Sequence, residues 1–193
     1  MLNSREIIFQ KNIGNIVIEP FDPDLLNSNS YDVRLGSWIC RQQKTSWNGD
    51  VPESRPIIRY NTEDGQDKMW SAPVEHAEIV LIKPGETLLA HTIEIIGGQN
   101  IITTEMRAKS TTGRYGLSVC KCAGLGDIGF ISRWTMEITN HSYFGISIKV
   151  GEPIAQILFH ETGEPLVQYA GRYGQGEWTP EDMLPKRKIR NEN

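Results

Sequence analysis

Trp134-Thr135-Met136-Glu137-Ile138-Thr139-Asn140 alternates side-chain character residue by residue. Successive side chains of a strand point to opposite faces. Trp134, Met136 and Ile138 therefore share one face, and Thr135, Glu137 and Thr139 share the other. Taken by itself, a Glu between β-branched residues is a solvent-facing residue. Ahead of this strand lies Ala123-Gly124-Leu125-Gly126-Asp127-Ile128-Gly129-Phe130, a Gly-rich connection with one carboxylate and one ring. It reads either as a hairpin loop with an Asx-turn at Asp127, or as a loop whose backbone approaches a flat ligand while Asp127 bonds a sugar hydroxyl. Earlier still, Lys109-Ser110-Thr111-Thr112-Gly113-Arg114-Tyr115-Gly116-Leu117 places hydroxyls and glycines between two cations. Such a run is an ordinary turn, or a helix start whose free N–H groups and flanking cations cradle phosphate.

Strand signals continue on both sides. Short apolar or β-branched runs separated by Gly, Pro and Asn fall at 16–18, 31–35, 57–60, 77–82, 87–96, 101–106, 117–122, 134–139, 146–150 and 154–160. This predicts a mainly β chain: a sandwich, jelly roll or barrel. A short helix precedes them, capped by Asn3, with Glu6 three residues on and Ile7, Ile8 and Phe9 supplying an apolar face. The polar stretch 43–66, with Trp47, reads as a long surface excursion. Residues 1–170 are expected to form one domain. Residues 171–193 are Gly-rich and charged, and read as a tail that is either mobile or ordered over a ligand.

Bulk properties set limits. The 193 residues suit a single domain, with 23% charged and 38% hydrophobic side chains, as in an ordinary globular protein. A net charge of −4 is poor for tracking a nucleic-acid backbone, but leaves room for a small polyanion held by local cations. Three cysteines, Cys40, Cys120 and Cys122, give no even disulfide framework and read as reduced thiols of a cytoplasmic protein. No apolar run approaches a signal peptide or a membrane span. His76-Ala77-Glu78 matches the H-x-E of zinc base deaminases, which also require P-C-x-x-C. The pair Cys120-Lys121-Cys122 lacks the proline and has the wrong spacing, and on a strand both thiols would share a face. No zinc is expected.

Taken together, Ala108–Leu117, Cys122–Ser132 and Thr135–Asn140 resemble three ordered motifs of the deoxycytidine triphosphate deaminase family, within the deoxyuridine triphosphatase-like superfamily. Ser30-Tyr31-Asp32-Val33-Arg34-Leu35-Gly36 and Gly151-Glu152-Pro153-Ile154-Ala155-Gln156-Ile157-Leu158-Phe159 resemble two more, so the resemblance covers most of the chain. It implies a homotrimer of distorted β-jelly-roll subunits with active sites between them, acting on a deoxycytidine nucleotide. It implies that Glu137 moves protons between water and C4 of cytosine, with Ser110, Arg114 and the carbonyl of Ala123 holding and polarising that centre. Lys109, Ser110, Thr111, Thr112 and Gly113 would line the triphosphate, with Mg²⁺ carried by the phosphate oxygens. Asp127 would bind the 3′-hydroxyl. Phe130, Thr135, Met136, Gln156 and Tyr169 would line the nucleotide, and Arg172 and Gln175 would close over it.

Four positions depart from the family pattern. Lys109 replaces Arg, Cys122 replaces Thr, Gly126 replaces Ile and Ile128 replaces Pro. A Gly at 126 predicts room beside the pyrimidine, and hence tolerance of, or preference for, a 5-substituted cytosine. The expected reaction is deamination of dCTP to dUTP and ammonia. Gly113 and Ala123-Gly124 resemble the bifunctional branch, which proceeds to dUMP and pyrophosphate. A plain deoxyuridine triphosphatase fits less well: it lacks the strand Glu and expects Tyr at Phe130. A degenerate nucleotide-sensing module is the non-enzyme alternative.

Overall fold

The computed structural model describes residues 1–43, 69–167, 169–173 and 176–186. The expected strand at 57–60, the excursion around Trp47 and Gln175 lie outside them. The opening helix, α1 (Ser4–Asn12), forms as expected: the Asn3 side chain accepts from the N–H groups of Arg5 and Glu6, while Glu6 accepts from Asn3 N–H.

Among the described residues the chain then runs through twelve strands: β1 (Ile16–Glu19), β2 (Tyr31–Arg34), β3 (Trp38–Arg41), β4 (Val74–Glu75), β5 (Ile79–Ile82), β6 (Thr87–Gly98), β7 (Ile102–Ala108), β8 (Leu117–Ser118), β9 (Leu125–Gly126), β10 (Ile131–Asn140), β11 (Ile146–Lys149) and β12 (Pro153–Glu161). Between β7 and β8 sits a single-turn helix, α2 (Ser110–Arg114). One sheet has the order β4-β3-β6-β10-β8, with β1 also paired to β6; the second has β2-β12-β7-β9; β11 and β5 form a separate ribbon. The result is a distorted jelly roll. Its core includes Tyr31, Leu35, Ile96, Met106, Met136, Ile138 and Phe159, all buried.

Two strand expectations shift. Residues 117–122 form only the short β8; Lys121 adopts φ +44° in a turn, so Cys120 and Cys122 do not share a strand face. Cys120 donates its thiol to the Met106 carbonyl, and Cys122 is exposed. Conversely, β3 and β4 had no clear sequence signal. β4 is only two residues long, and β3 mixes Trp38, Ile39, Cys40 and Arg41 without clean alternation.

β6 is the organising strand. It pairs with β10 through Glu137↔Leu89 and Thr135↔His91, but the register then breaks. Thr92, Ile93 and Glu94 stand opposite Trp134 alone. The Thr92 hydroxyl accepts the Trp134 N–H (2.9 Å) and donates to the Glu94 carbonyl (2.7 Å), which satisfies groups the bulge would strand. Glu94, fully buried, accepts both the backbone N–H (2.9 Å) and Nε (2.6 Å) of Arg34, tying β2 of the second sheet to β6 of the first.

The described part of the tail packs back on the domain. Tyr169 sits edge-on to Phe130, and its hydroxyl donates to the Tyr173 carbonyl (3.0 Å). Residues 176–186 then lie across the outer face of β3 and β6. Met183 is buried with Cys40, Trp70 and Leu89, and Trp178 and Leu184 pack around them. The strap is internally braced: Thr179 N–H donates to Asp182 (2.8 Å), Asp182 pairs with Lys186, and Lys186 N–H donates to the Tyr173 hydroxyl (2.9 Å).

Candidate active site

β10 keeps the alternation its sequence predicts. Trp134, Met136 and Ile138 enter the core, while Thr135 and Glu137 stand on the opposite face. That face is not open solvent. Leu89 and His91 of β6 lie beside it, and the strap covers the β3–β6 flank. One carboxylate oxygen of Glu137, Oε2, is buried and has no hydrogen-bond partner. Burial pushes the Glu137 pKa from 4.5 to about 7, against the opposing pull of its own backbone N–H and of Lys121. A carboxyl group so tuned can both accept and return a proton near neutral pH.

The phosphate-like turn is built separately. Ser110, Thr111, Gly113 and Arg114 are exposed on α2. Thr112 is buried and donates its hydroxyl to the Ile154 carbonyl (2.8 Å), so its side chain anchors the turn to β12. Lys109 is ion-paired with Asp32, which also accepts from Asn27 (2.8 Å). Gln156 stands directly opposite Asp32 in register and accepts from Ser30 (3.1 Å). The turn opens onto a groove of about 1010 Å³, lined among others by Lys109, Arg114, Tyr115, Phe144, Lys149 and Glu152. Glu137 does not line this groove. The cation acting on Glu137 is Lys121, not Arg114.

A third group gathers at the Gly-rich loop. Thr103 donates to the Gly126 carbonyl (2.8 Å), and Met106 N–H donates to the Gly124 carbonyl (2.7 Å), so the loop is clamped on β7. Asp127 and Ala123 are exposed there. Phe130 is wedged edge-on between Trp134 (5.2 Å) and Tyr169 (5.6 Å). Tyr169 has its pKa raised, chiefly by burial, with Asp127 adding to the rise. Arg172 is exposed, 5.9 Å from the Tyr173 ring. The Met136 side chain lies in the core, leaving only its backbone for a ligand.

Gly126 corrects the expected room beside the base. A Cβ placed there would stand 2.3 Å from Thr104 Oγ1 and 2.5 Å from two ring carbons of Trp134. The indole occupies the volume an isoleucine would need, held by its Nε1–H bond to the Ile96 carbonyl (2.9 Å). The glycine is a packing requirement, so it gives no support for a 5-substituted substrate.

A family model described as dCTP deaminase-like matches residues 1–162. The chain belongs to the dCTP deaminase-like family. A protein of Methanosphaerula palustris named dCTP deaminase, dUMP-forming, is 32% identical over 77% of this chain and 74% of its own. A protein of the same name from Clostridium beijerinckii is 32% identical over 96% of this chain and 97% of its own. The fold resembles a crystal structure of 2′-deoxycytidine 5′-triphosphate deaminase from Agrobacterium tumefaciens, with TM-score 0.60 and 21% identity, covering 82% of this chain and 46% of that one.

Several residues around the family motifs carry no sequence signal for their place here. His91 is buried beside Thr135, with Nδ1 bonded to the Thr92 carbonyl (2.8 Å) and Nε2 accepting the Trp38 N–H (3.2 Å). Burial drives its pKa down to about 4, so it stays neutral. Gly36 is obligatory against its ring, since a Cβ would come within 2.0 Å. Asn140 closes the T-M-E-I-T-N run by donating to the Ile82 (3.1 Å) and Phe144 (2.7 Å) carbonyls and accepting from Ser142 N–H (2.9 Å). Among the described residues no cluster of three or more His, Cys, Asp or Glu is arranged to hold a metal ion, and no helix is long and apolar enough to cross a membrane.

Proposed function

We propose that this protein hydrolyses dCTP to dUMP, ammonia and pyrophosphate. One water replaces the 4-amino group, giving the uracil ring and ammonia. A second water cleaves the α–β phosphoanhydride, giving dUMP and pyrophosphate. The observation that carries the first step is Glu137: a buried, partnerless carboxylate oxygen on a strand that matches the family motif, with a pKa of about 7. In its ionised form Glu137 takes a proton from the water that attacks C4. As the acid it returns protons to the ring and to the leaving ammonia. The second step is supported by the names of the relatives, each dUMP-forming.

Ser110 and Arg114 serve as hydrogen-bond and charge partners for the addition step, and the Ala123 carbonyl orients the water. Lys109, Ser110, Thr111 and Gly113 receive the phosphates. Asp32 keeps Lys109 in place, though a lysine offers a point charge where Arg would offer a fork. Mg²⁺ enters as part of the substrate, carried by the phosphate oxygens. Asp127 takes the 3′-hydroxyl. The rest of the nucleotide lies along Phe130, Thr135, Gln156 and Tyr169, with Arg172 and Gln175 at the phosphates.

A homotrimer completes the site. In one chain the Ser110–Arg114 turn opens onto its own groove, apart from Glu137, so a neighbouring copy supplies one half. Tyr115 and Phe144 on that groove, with Tyr143 next to it, are 66%, 77% and 95% exposed, the type of surface that association covers.

The proton-transfer role has a sign. Glu137 must be ionised to accept the water proton, so kcat/KM for ammonia release from dCTP should rise about tenfold per pH unit below pH 7 and level off above it. A profile flat between pH 5 and 8, or an acid limb at the ordinary carboxylate value of 4.5, would remove Glu137 from that role.

A further inference from the structure

Buried polar atoms in folded proteins almost always have partners, and an exception calls for an explanation. Among the described residues three buried side-chain atoms have none: Glu137 Oε2, His160 Nε2 and Trp178 Nε1. His160 lies on β12 near Glu105, at 3.7 Å, which accounts for its place. The other two belong to one face. Thr135 pairs with His91 and Glu137 pairs with Leu89. The Trp178 ring lies 4.6 Å from the His91 ring, tilted against it, and packs against the cluster that contains Leu89. One orphan is an acceptor and the other a donor.

Trp178 is held there by contacts that do not use its N–H. Its ring leans on neutral His91 at 40°, and the Arg133 guanidinium lies 5.6 Å from it. Met183, buried five residues further along the strap, fixes the segment on Cys40 and Leu89. A tryptophan placed for packing alone would turn its N–H to water or to a carbonyl. Here the N–H is neither exposed nor bonded.

We propose that Trp178 is a substrate-binding residue whose Nε1–H donates to an acceptor of the nucleotide bound beside Glu137. The proposal rests on the reading of Glu137 given above. It assigns the strap a role beyond packing: the strap holds this one donor on the face of β6 and β10 that carries Glu137. The ligand class is a planar ring or sugar-phosphate that offers an oxygen or ring-nitrogen acceptor. A deoxycytidine nucleotide carries both.

Trp178→Phe removes the donor at the smallest cost in packing. Phenylalanine keeps a ring against His91 and loses the N–H together with part of the indole's apolar area. The full chain with this change should keep its melting temperature within a few degrees. Its KM for dCTP should rise roughly three- to tenfold, the range of one net hydrogen bond, with kcat little changed. A Trp178→Ala chain serves as the packing control, with lower stability as well as weaker binding. The indole ¹⁵N–H resonance of Trp178, assigned by its loss in Trp178→Phe, should move downfield when dCTP is added to the Glu137→Gln protein. Unchanged KM in Trp178→Phe, or an indole resonance indifferent to dCTP, overturns the proposal while wild-type ammonia release stands. Absence of ammonia release from wild type overturns the functional reading instead.

Discussion

Glu137→Gln should lower ammonia release from dCTP by about a thousandfold or more, within the range of losing a general acid–base group. The same change should raise stability at pH 8. Burial lifts the Glu137 pKa from 4.5 to about 7. The folded state therefore holds this proton more tightly than the unfolded chain, and stability falls as pH rises from about 4.5 through about 7. Above that range the ionised carboxylate costs on the order of 1–3 kcal/mol, allowing for partial solvation. Glutamine removes the cost. Its melting temperature should exceed that of wild type by several degrees at pH 8 and match it at pH 5. A variant that is inactive and less stable at pH 8 would mean that Glu137 supports the fold. A variant with near-normal activity would mean that another group handles the protons.

Glu94→Ala should be the most damaging single change to the fold. Glu94 is fully buried and accepts two hydrogen bonds from Arg34 across the two sheets. Removing it leaves the Arg34 guanidinium and N–H without their acceptor, a loss of about 3–5 kcal/mol. In a chain of this size each kcal/mol lowers the melting point by roughly 2–4 °C, so a fall on the order of 10 °C or more is expected at fixed protein concentration. The paired change Arg34→Met with Glu94→Leu should recover much of it, because it removes the charge along with its partner. A loss below 1 kcal/mol in Glu94→Ala would show that water replaces the carboxylate at no cost.

What could be read in advance follows the physics of each segment. The alternation in Trp134–Asn140 was sufficient for β10, because a half-buried strand must separate its faces. The five ordered motifs carried the fold class and the family. The docked strap was not legible: Trp178, Met183 and Leu184 have no shared period, and their partners Trp38 and Cys40 lie on a strand with no clean alternation. The misreading at Gly126 has a simple cause. A missing side chain looks like space in a sequence, but here the Trp134 indole fills it from the core side. The Glu94 contact depends on a bulge opposite Trp134, where local pattern rules for paired strands no longer apply. His91, similarly, takes its neutral state from burial that only the assembled β3–β6 face provides.

The most direct test counts the products formed from dCTP by wild-type protein with Mg²⁺. One ammonia and one pyrophosphate should form per dCTP consumed, with dUMP as the nucleotide product. Ammonia with accumulating dUTP would contradict the second hydrolytic step, and no ammonia from saturating dCTP would contradict the role given to Glu137.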